Sequence, residues 1–287
     1  HNNSGEGGQA MKRHLRLNAA LVFAGGFAFT AFVVAVLAIT MTQRDRQTFE
    51  ADALAARDVV LDRIETSIAL LRGAAGLLAS REVDPSVPEF RAYMNRIALR
   101  ELYPGILGIG YSRRVAPKER DTLEQALRRQ GHEDFRVWPQ HARDEWHSIV
   151  LLEPLDARNR AAIGFDMFTP PVRRAAMERA RDSGRAAASA IVELVQEIDA
   201  RKQPGFLIYL PVYAGESVPA TEAERRSRLR GFGYAPIRSE DFLASAFSHE
   251  ARPSVAVRIR HEAARGEATL LYQRATAGLD ARRGVDR

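Results

Sequence analysis

The architecture of this chain is decided by residues 17–43, which read LNAALVFAGGFAFTAFVVAVLAITMTQ and contain no charged side chain. The apolar part, from Ala19 to Ile39, is about 20 residues long, which is enough for a helix to cross the roughly 30 Å hydrocarbon core of a bilayer. A cleaved signal peptide is the alternative, but its apolar region is only about 7–15 residues long and ends in a small-residue cleavage site. We therefore predict an uncleaved transmembrane helix over residues 17–43.

Basic residues near the span indicate its direction. They are Lys12, Arg13 and Arg16 before it and Arg44 and Arg46 after it. Because basic residues favour the cytoplasmic side, this bias predicts a cytoplasmic tail at 1–16, and extracytoplasmic residues from about 44 onward, at the inner (plasma) membrane. Residues 1–10 precede Met11 and are either a native tail or an expression remnant.

A seven-residue repeat follows the span. Its apolar positions are Leu54, Leu61, Ile68 and Ala75, with Ile64, Leu71 and Leu78 three residues further on. This pattern is typical of a helix that packs on its own domain or of a two-chain coiled coil, and a long helix can do both on different faces. We predict a stalk helix over residues 44–82, ending before Asp84-Pro85, and a homodimer formed through it.

Composition limits the classes of protein that this chain can belong to. Hydrophobic residues make up 46% and charged residues 27% of its 287 residues, which is typical of a chain that mostly folds in water. Its net charge is +6, but most arginines stand close to Asp or Glu, as in residues 178–182, so we expect no nucleic-acid binding. The absence of cysteine excludes disulfides, a thiolate nucleophile and Cys-ligated zinc.

The segment after the stalk mixes helices and strands irregularly. Helices are predicted at 88–99, 117–129 and 171–181, and strands at 106–111, 135–139, 147–154, 187–194 and 206–213. The order does not alternate as a wound parallel sheet requires, so the fold class is α+β with an antiparallel sheet. We assign residues 83–214 to one subdomain.

The polar segment 215–228 is predicted to be a surface loop between subdomains. Beyond it, a strand at 229–236, a helix at 239–247 and strands at 254–260 and 268–274 are predicted. We assign 229–287 to a smaller second sheet subdomain, either complete or cut short at its carboxy-terminal end.

No catalytic or metal-binding motif is evident. The glycines of residues 104–110 fall within a predicted strand, where they permit close approach of backbone or ligand and not the phosphate loop of a nucleotide site. The spacing of His141 and His147 fits no known metal-ligand pattern, which favours a solvated loop. The sequence also lacks a Gly-x-Ser-x-Gly nucleophile elbow and paired carboxylates, so we predict neither catalytic residues, nor a metal, nor a cofactor.

Asp166 is the carboxylate with most chemical interest, because apolar residues flank it in AAIGFDMF (161–168) just before a helix. One interpretation is a cap-type carboxylate that accepts backbone N–H groups near Thr169. The other is a carboxylate that accepts hydrogen bonds from a small ligand in an otherwise apolar pocket.

Several motifs of the central block occur in a characteristic order. They are YPGI (103–106) with Gly108 and Gly110, EPLD (153–156) with Asn159-Arg160, GFD (164–166), RRAAMERARDSG (173–184), LVQE (194–197) and GFLIYLPVY (205–213). Over about residues 85–215 this block resembles the CHASE family, the extracytoplasmic sensing domain of receptor histidine kinases and cyclases.

The resemblance implies a long amino-terminal helix followed by two tandem PAS-like subdomains, with a small ligand in the membrane-distal one, residues 83–214. Plant members bind adenine-type cytokinins through an aspartate whose position matches Asp166 and through the strand after the helix end, here Ala188 and Ser189. Phe206, Ile208 and Tyr111 are expected to complete the site. The small residues at 186–190 depart from the bulkier plant pattern and predict a wider pocket.

We therefore expect a sensory ligand-binding module of a transmembrane receptor of the histidine kinase or cyclase type, with no enzymatic activity in these residues. Two alternatives remain open. A membrane-anchored periplasmic hydrolase would show turnover that Asp166→Asn abolishes, and a structural assembly domain would bind no ligand.

Overall fold

We describe a computed structural model of the chain, which covers residues 5–140, 143–196, 202–248, 256–262 and 268–274. The helices are α1 Gly5–Ala79, α2 Val87–Ile97, α3 Leu99–Leu102, α4 Arg120–Arg129, α5 Ala157–Arg160, α6 Pro171–Ser183, α7 Glu222–Arg228 and α8 Ser239–Ala246, with a 3-10 turn at Pro117–Glu119. The strands are β1 Ile109–Val115, β2 Trp146–Glu153, β3 Ala187–Ala188, β4 Val192–Glu193, β5 Pro204–Tyr213, β6 Leu229–Arg238, β7 Val257–Glu262 and β8 Ala268–Arg274.

The amino-terminal part of α1 is long and apolar enough to cross a membrane. Its large apolar side chains are exposed, including Phe27, Phe29, Phe32 and Ile39. Apolar side chains that no protein atom covers are suited to lipid contact. The prediction of one apolar amino-terminal helix that could span a membrane is therefore confirmed.

The main sheet is antiparallel and has the strand order β2-β1-β6-β5-β3, with β4 also paired to β5. Strands β5 and β6 are each ten residues long and form the longest ladder, from Gly205–Arg238 to Tyr213–Leu229. A separate two-stranded sheet contains β7 and β8. The predicted α+β class with an antiparallel sheet is confirmed.

One side of the main sheet, which we call the α1 face, packs against the last turns of α1. Leu71, Ala74, Ala75 and Leu78 of α1 are buried there. Gly233 of β6 lies directly beneath this helix, because a Cβ atom added to Gly233 would contact Leu71 Cδ1 at 3.4 Å. The carboxy-terminal half of the heptad pattern is therefore a core-facing helix surface.

The opposite side of the sheet, which we call the α6 face, is covered by α6 and the segment before it. α6 buries a stripe at helical spacing, namely Arg173, Ala176, Met177 and Ala180. The helix begins with Pro171 in its first turn and ends at Gly184, whose φ of +70° is the left-handed conformation of a glycine C-cap. Because both faces are covered, the central strands are buried on both sides.

The structure corrects the assignment of strand 229–236 to a second sheet. β6 pairs with both β1 and β5, and therefore lies in the middle of the main sheet. The pairing of β6 with β1 joins residues that are more than 100 positions apart, so a local pattern cannot reveal it. Among the described residues, only β7 and β8 belong to a different sheet.

Four smaller expectations also differ from the structure. Residues 222–228 of the predicted loop form α7, because Thr221 and Glu224 make a capping box at its start. The first strand begins at Ile109 and not at 106, and the predicted strand 187–194 is reduced to β3 and β4. Segment 135–139 has only an isolated bridge between Trp138 and Phe165, with Pro139 unable to donate to a ladder.

Candidate functional site

The six predicted site residues do not lie together. Ile208 of β5 and Tyr111 of β1 are buried on the α1 face, and Phe206 packs on the same side. Asp166 precedes α6 and is fully buried beside residues that pack on the α6 face. The main sheet therefore separates Tyr111, Phe206 and Ile208 from Asp166.

Ala188 and Ser189 lie at the edge of the sheet, next to β5. Ala188 is exposed, and its carbonyl accepts a hydrogen bond from Arg179. Ser189 Oγ accepts the backbone N–H of Leu207 at 3.0 Å and donates to the carbonyl of Ala190 at 2.7 Å. Both predicted residues thus hold the edge of the sheet, and their contact with a ligand stays a prediction.

The carboxylate of Asp166 is engaged on both oxygens. Oδ1 accepts the backbone N–H groups of His147 at 2.9 Å and Phe168 at 3.1 Å. Oδ2 accepts the hydroxyl of Thr169 at 3.1 Å and lies 3.5 Å from Arg143 Nε. This is the geometry of the cap-type interpretation, in which the carboxylate joins β2 to the segment that leads into α6.

His147 lies in β2 and is fully buried, not in the solvated loop that its spacing to His141 suggested; His141 lies outside the described residues. Its ring centroid is 3.9 Å from that of Phe168 and 5.2 Å from that of Phe232. Burial lowers the pKa of His147 although Glu145, 3.5 Å away, acts in the opposite direction. The imidazole is therefore neutral at pH 7.

Besides the ring nitrogens of His147, three buried polar side chains on the α6 face have an atom without a hydrogen-bond partner among the described residues. They are Tyr209 at its hydroxyl, Tyr234 at its hydroxyl and Arg173 at Nε. Both tyrosines are fully buried, and Arg173 is only 3% exposed. Native proteins satisfy nearly all buried polar groups, so three orphans on one face indicate a place that a ligand or water completes.

These side chains come from three elements of the described fold. Tyr209 lies on β5 beside Leu207, and Tyr234 lies on the adjacent strand β6, opposite Tyr209 in the ladder. The two ring centroids are 6.5 Å apart. Gly110 of β1 makes room for Tyr234, because a Cβ atom there would lie 2.6 Å from the Tyr234 ring.

Arg173 reaches the same region from the first turn of α6. Its NH1 group contacts Met167 Sδ at 3.4 Å, its NH2 group donates to the carbonyl of Glu193 at 3.2 Å, and the guanidinium lies 5.2 Å from the ring centroid of Phe165. Burial lowers the pKa of Arg173, while Tyr209 and Tyr234 act in the opposite direction. Arg173 therefore contacts Met167 and Phe165, which belong to the same buried cluster as Tyr209 and Tyr234.

The strongest sequence signal for this cluster was the stripe on α6. Residues 173, 176, 177 and 180 have the spacing of a core-facing helix surface, and the first of them is an arginine. A charged residue at a core position is rarely buried without a partner. The α6-face cluster, defined by Arg173, Tyr209 and Tyr234, is the candidate functional site.

A surface cleft of about 470 Å³ is a weaker candidate. Tyr111, Asp84, Arg113 and Arg230 line it. Asp84 accepts a hydrogen bond from Arg230 at 2.7 Å and forms an ion pair with Arg113 at 3.3 Å. These charged side chains of the cleft therefore neutralise one another. The α6-face cluster has unused recognition groups, whereas this cleft has paired ones.

No group of three or more His, Cys, Asp or Glu side chains within the described residues could hold a metal ion. The polar groups of the α6-face cluster are a guanidinium and two phenols, and aromatic rings surround them.

The family model of the CHASE domain matches residues 84–272, about two thirds of the chain. No curated protein matches the chain.

Proposed function

The chain belongs to the CHASE domain family, and we propose that it senses a small molecule that binds at the α6-face cluster. A CHASE domain is an extracytoplasmic sensory module of receptors and is not catalytic. The observation that carries the proposal is the set of buried, unpartnered polar atoms on Arg173, Tyr209 and Tyr234. A mostly apolar interior with a few polar groups is typical of small-molecule sites.

We also propose the membrane arrangement and the subdomains. Residues 1–16 lie in the cytoplasm, 17–43 cross the membrane and 44–82 form the stalk. The membrane-distal PAS-like subdomain comprises 83–214 together with β6, and the membrane-proximal one contains β7 and β8. The pairing of β6 with β1 and β5 supports this revised boundary.

Signal transmission is proposed to pass through β6. Tyr234 of β6 belongs to the α6-face cluster, and its neighbour Gly233 lies beneath Leu71 of α1 on the other face. Arg230 of the same strand donates to the carbonyl oxygen of Leu78 at 3.1 Å, near the end of α1. A shift of β6 caused by a ligand would therefore reach α1 directly, and from there a cytoplasmic histidine kinase or cyclase.

The test of ligand binding is thermal unfolding of the full chain in detergent micelles against a panel of adenines, amino acids and organic acids. A ligand at 100 times its Kd adds roughly 2.7 kcal/mol to the free energy of unfolding. We expect at least one compound to raise the melting temperature, and the substitution Tyr234→Phe to reduce that rise. Tyr213→Phe is the matched control, because the Tyr213 hydroxyl already donates to the carbonyl of Arg181 at 2.5 Å.

The outcomes separate the three classes of function. A stabilising compound that is recovered unchanged supports the sensor. Turnover of a compound that Asp166→Asn abolishes would instead support the hydrolase. If no compound in the panel stabilises the chain, the ligand-binding proposal fails and the result favours a structural assembly domain.

A homodimer formed through the stalk helix is part of the proposal. Leu61 of α1 is 47% exposed in a single chain, although leucine at a heptad position is typically covered. We expect Leu61→Asp to weaken dimerisation about tenfold or more, because a carboxylate would enter an apolar helix interface. Analytical ultracentrifugation of the full chain in detergent measures the effect.

The control is Leu102→Asp, which makes the same change at a leucine of α3 that is 59% exposed. This variant should sediment like the unsubstituted chain. A Leu61→Asp variant with an unchanged sedimentation profile would contradict a dimer at the stalk. Ile68→Asp is a less specific test, because Ile68 also packs against the core of its own subdomain.

A further inference from the structure

Arg173 is a buried cation that no carboxylate of the described residues neutralises. Its side chain is 3% exposed, and its contacts within the part of the chain that the structure describes include no carboxylate. The acceptors of its NH1 and NH2 groups are a thioether sulfur and a backbone carbonyl, and Nε has no acceptor. A buried charge is costly unless it is paired, so the described residues alone leave this site incomplete.

The two tyrosines supply further hydrogen-bond donors. Their hydroxyl groups are buried and have no acceptor among the residues that the structure describes. Burial raises the pKa of both Tyr209 and Tyr234 above its ordinary value, and the charge of Arg173 opposes this only in part. Both phenols therefore stay protonated and can donate.

The surroundings of these donors are aromatic. Phe165 lies beneath the guanidinium at 5.2 Å, and Phe232 lies edge-on to Tyr209 with ring centroids 6.3 Å apart. Met177 and Leu207 are buried in the same apolar cluster. Flat rings pack well against such walls, in stacked or edge-to-face geometry.

We infer that the α6-face cluster takes a small monocarboxylate with a flat, apolar body. Its carboxylate pairs with Arg173 and accepts the hydroxyl groups of Tyr209 and Tyr234, and its body packs among the aromatic rings. An arginine is suited to this role because its planar fork matches the two oxygens of a carboxylate. The inference rests on the proposed ligand-binding function and adds the chemical class of the ligand.

An adenine-type ligand fits this site less well. A neutral adenine would leave the charge of Arg173 buried and unpaired. The aspartate that the family resemblance assigns to it, Asp166, has both oxygens occupied by His147, Phe168 and Thr169. Arg173, Tyr209 and Tyr234 can each donate a hydrogen bond, and three such donors favour an acceptor such as a carboxylate.

Pairs of acids and amides of the same shape test the inference. The full chain in detergent is melted by differential scanning calorimetry at pH 7 with benzoate or phenylacetate, and with benzamide or phenylacetamide. We expect the acids to raise the melting temperature in a concentration-dependent way and the amides to leave it unchanged. Inorganic phosphate is included as an anion without an apolar body, and it should give no rise.

Arg173→Met is the decisive variant, with Arg179→Met as its control. Arg179 lies on the exposed side of the same helix, so its replacement should keep the response to the acids. We expect Arg173→Met to weaken acid binding about thirtyfold or more, because the carboxylate loses its buried partner. Its melting temperature without ligand should be equal or higher, since an apolar side chain replaces an unpaired buried charge.

The results distinguish the ligand class from the proposed function. Equal stabilisation by acids and amides, or stabilisation by adenines alone, would contradict a carboxylate ligand. Either result would still support the sensory function. Stabilisation by phosphate as strong as by benzoate would also contradict a carboxylate ligand. If Arg173→Met does not fold, Tyr234→Phe must weaken acid binding for the inference to stand. If no compound of the wider panel stabilises the chain, both the carboxylate ligand and the sensory function are contradicted.

Discussion

We expect the Asp166→Ala variant to lose about 3 kcal/mol of the free energy of unfolding. The substitution removes the acceptor of two backbone N–H groups, those of His147 and Phe168, and of the Thr169 hydroxyl. Each buried donor that is left without an acceptor costs about 1–3 kcal/mol. Arg143 also loses its carboxylate partner.

Thermal unfolding followed by tryptophan fluorescence measures this loss. Both tryptophans, Trp138 and Trp146, lie outside α1, so the signal reports the sheet subdomain and not the membrane helix. For a domain of this size the melting temperature should fall by about 6–12 °C. Asp166→Asn should lower the free energy of unfolding by less, because an amide oxygen can still accept hydrogen bonds from the two backbone N–H groups.

Asp156→Ala is the matched control for the role of Asp166. Asp156 is the N-cap of α5 and accepts the N–H of Asn159 at 2.9 Å, but it is partly exposed. Loss of such a cap costs about 1 kcal/mol. An Asp166→Ala variant that melts no lower than Asp156→Ala would refute the structural role and favour a carboxylate held for a ligand.

The coarse fold could be predicted from the sequence because its signals are local. The strand at 206–213 and the helix at 171–181 match β5 and α6, since an apolar run and a proline-to-glycine boundary are visible in the letters. α7 has an equally local signal, which is Thr221 with Glu224 three residues later. The polar composition of 215–228 favoured a loop over this helix start. Pairing of β6 with β1 has no local signal.

The face of a strand could not be predicted where both faces are buried. Phe206 and Ile208 were expected at the ligand, but Leu207 and Tyr209 are the residues of β5 that point to the α6 face. A strand that is covered on both sides shows no alternation of apolar and polar residues, and a shift of one residue exchanges the faces. The same ambiguity affected Tyr111.

The candidate site was missed for a different reason. Arg173 belongs to a helix rich in arginine, and Arg174, Arg179 and Arg181 have no comparable burial. Only the position of Arg173 in the apolar stripe of α6 distinguishes it, and its significance depends on the burial of Tyr209 and Tyr234 beside it. A tertiary arrangement of this kind has no counterpart in motif spacing.

Gly164→Ala is expected to destabilise the chain by about 3 kcal/mol or more, as a backbone counterpart of Asp166→Ala. Gly164 has a φ of +83°, which costs a residue with a Cβ atom about 1–2 kcal/mol. The added Cβ atom would also lie 2.0 Å from the carbonyl oxygen of Arg136, so the backbone must move. That movement disturbs the hydrogen bonds of Gly164 with Trp138 and Ile149.

Gly131→Ala isolates the conformational part of this effect. Gly131 has a φ of +99°, but no heavy atom lies within 4 Å of a Cβ atom built there. We therefore expect it to lose only about 1 kcal/mol, and its melting temperature to fall by about 2–4 °C. If Gly164→Ala and Gly131→Ala melt at the same temperature, the segment before Asp166 can move without losing stability. The close contact with Arg136 then does not fix the position of the Asp166 carboxylate.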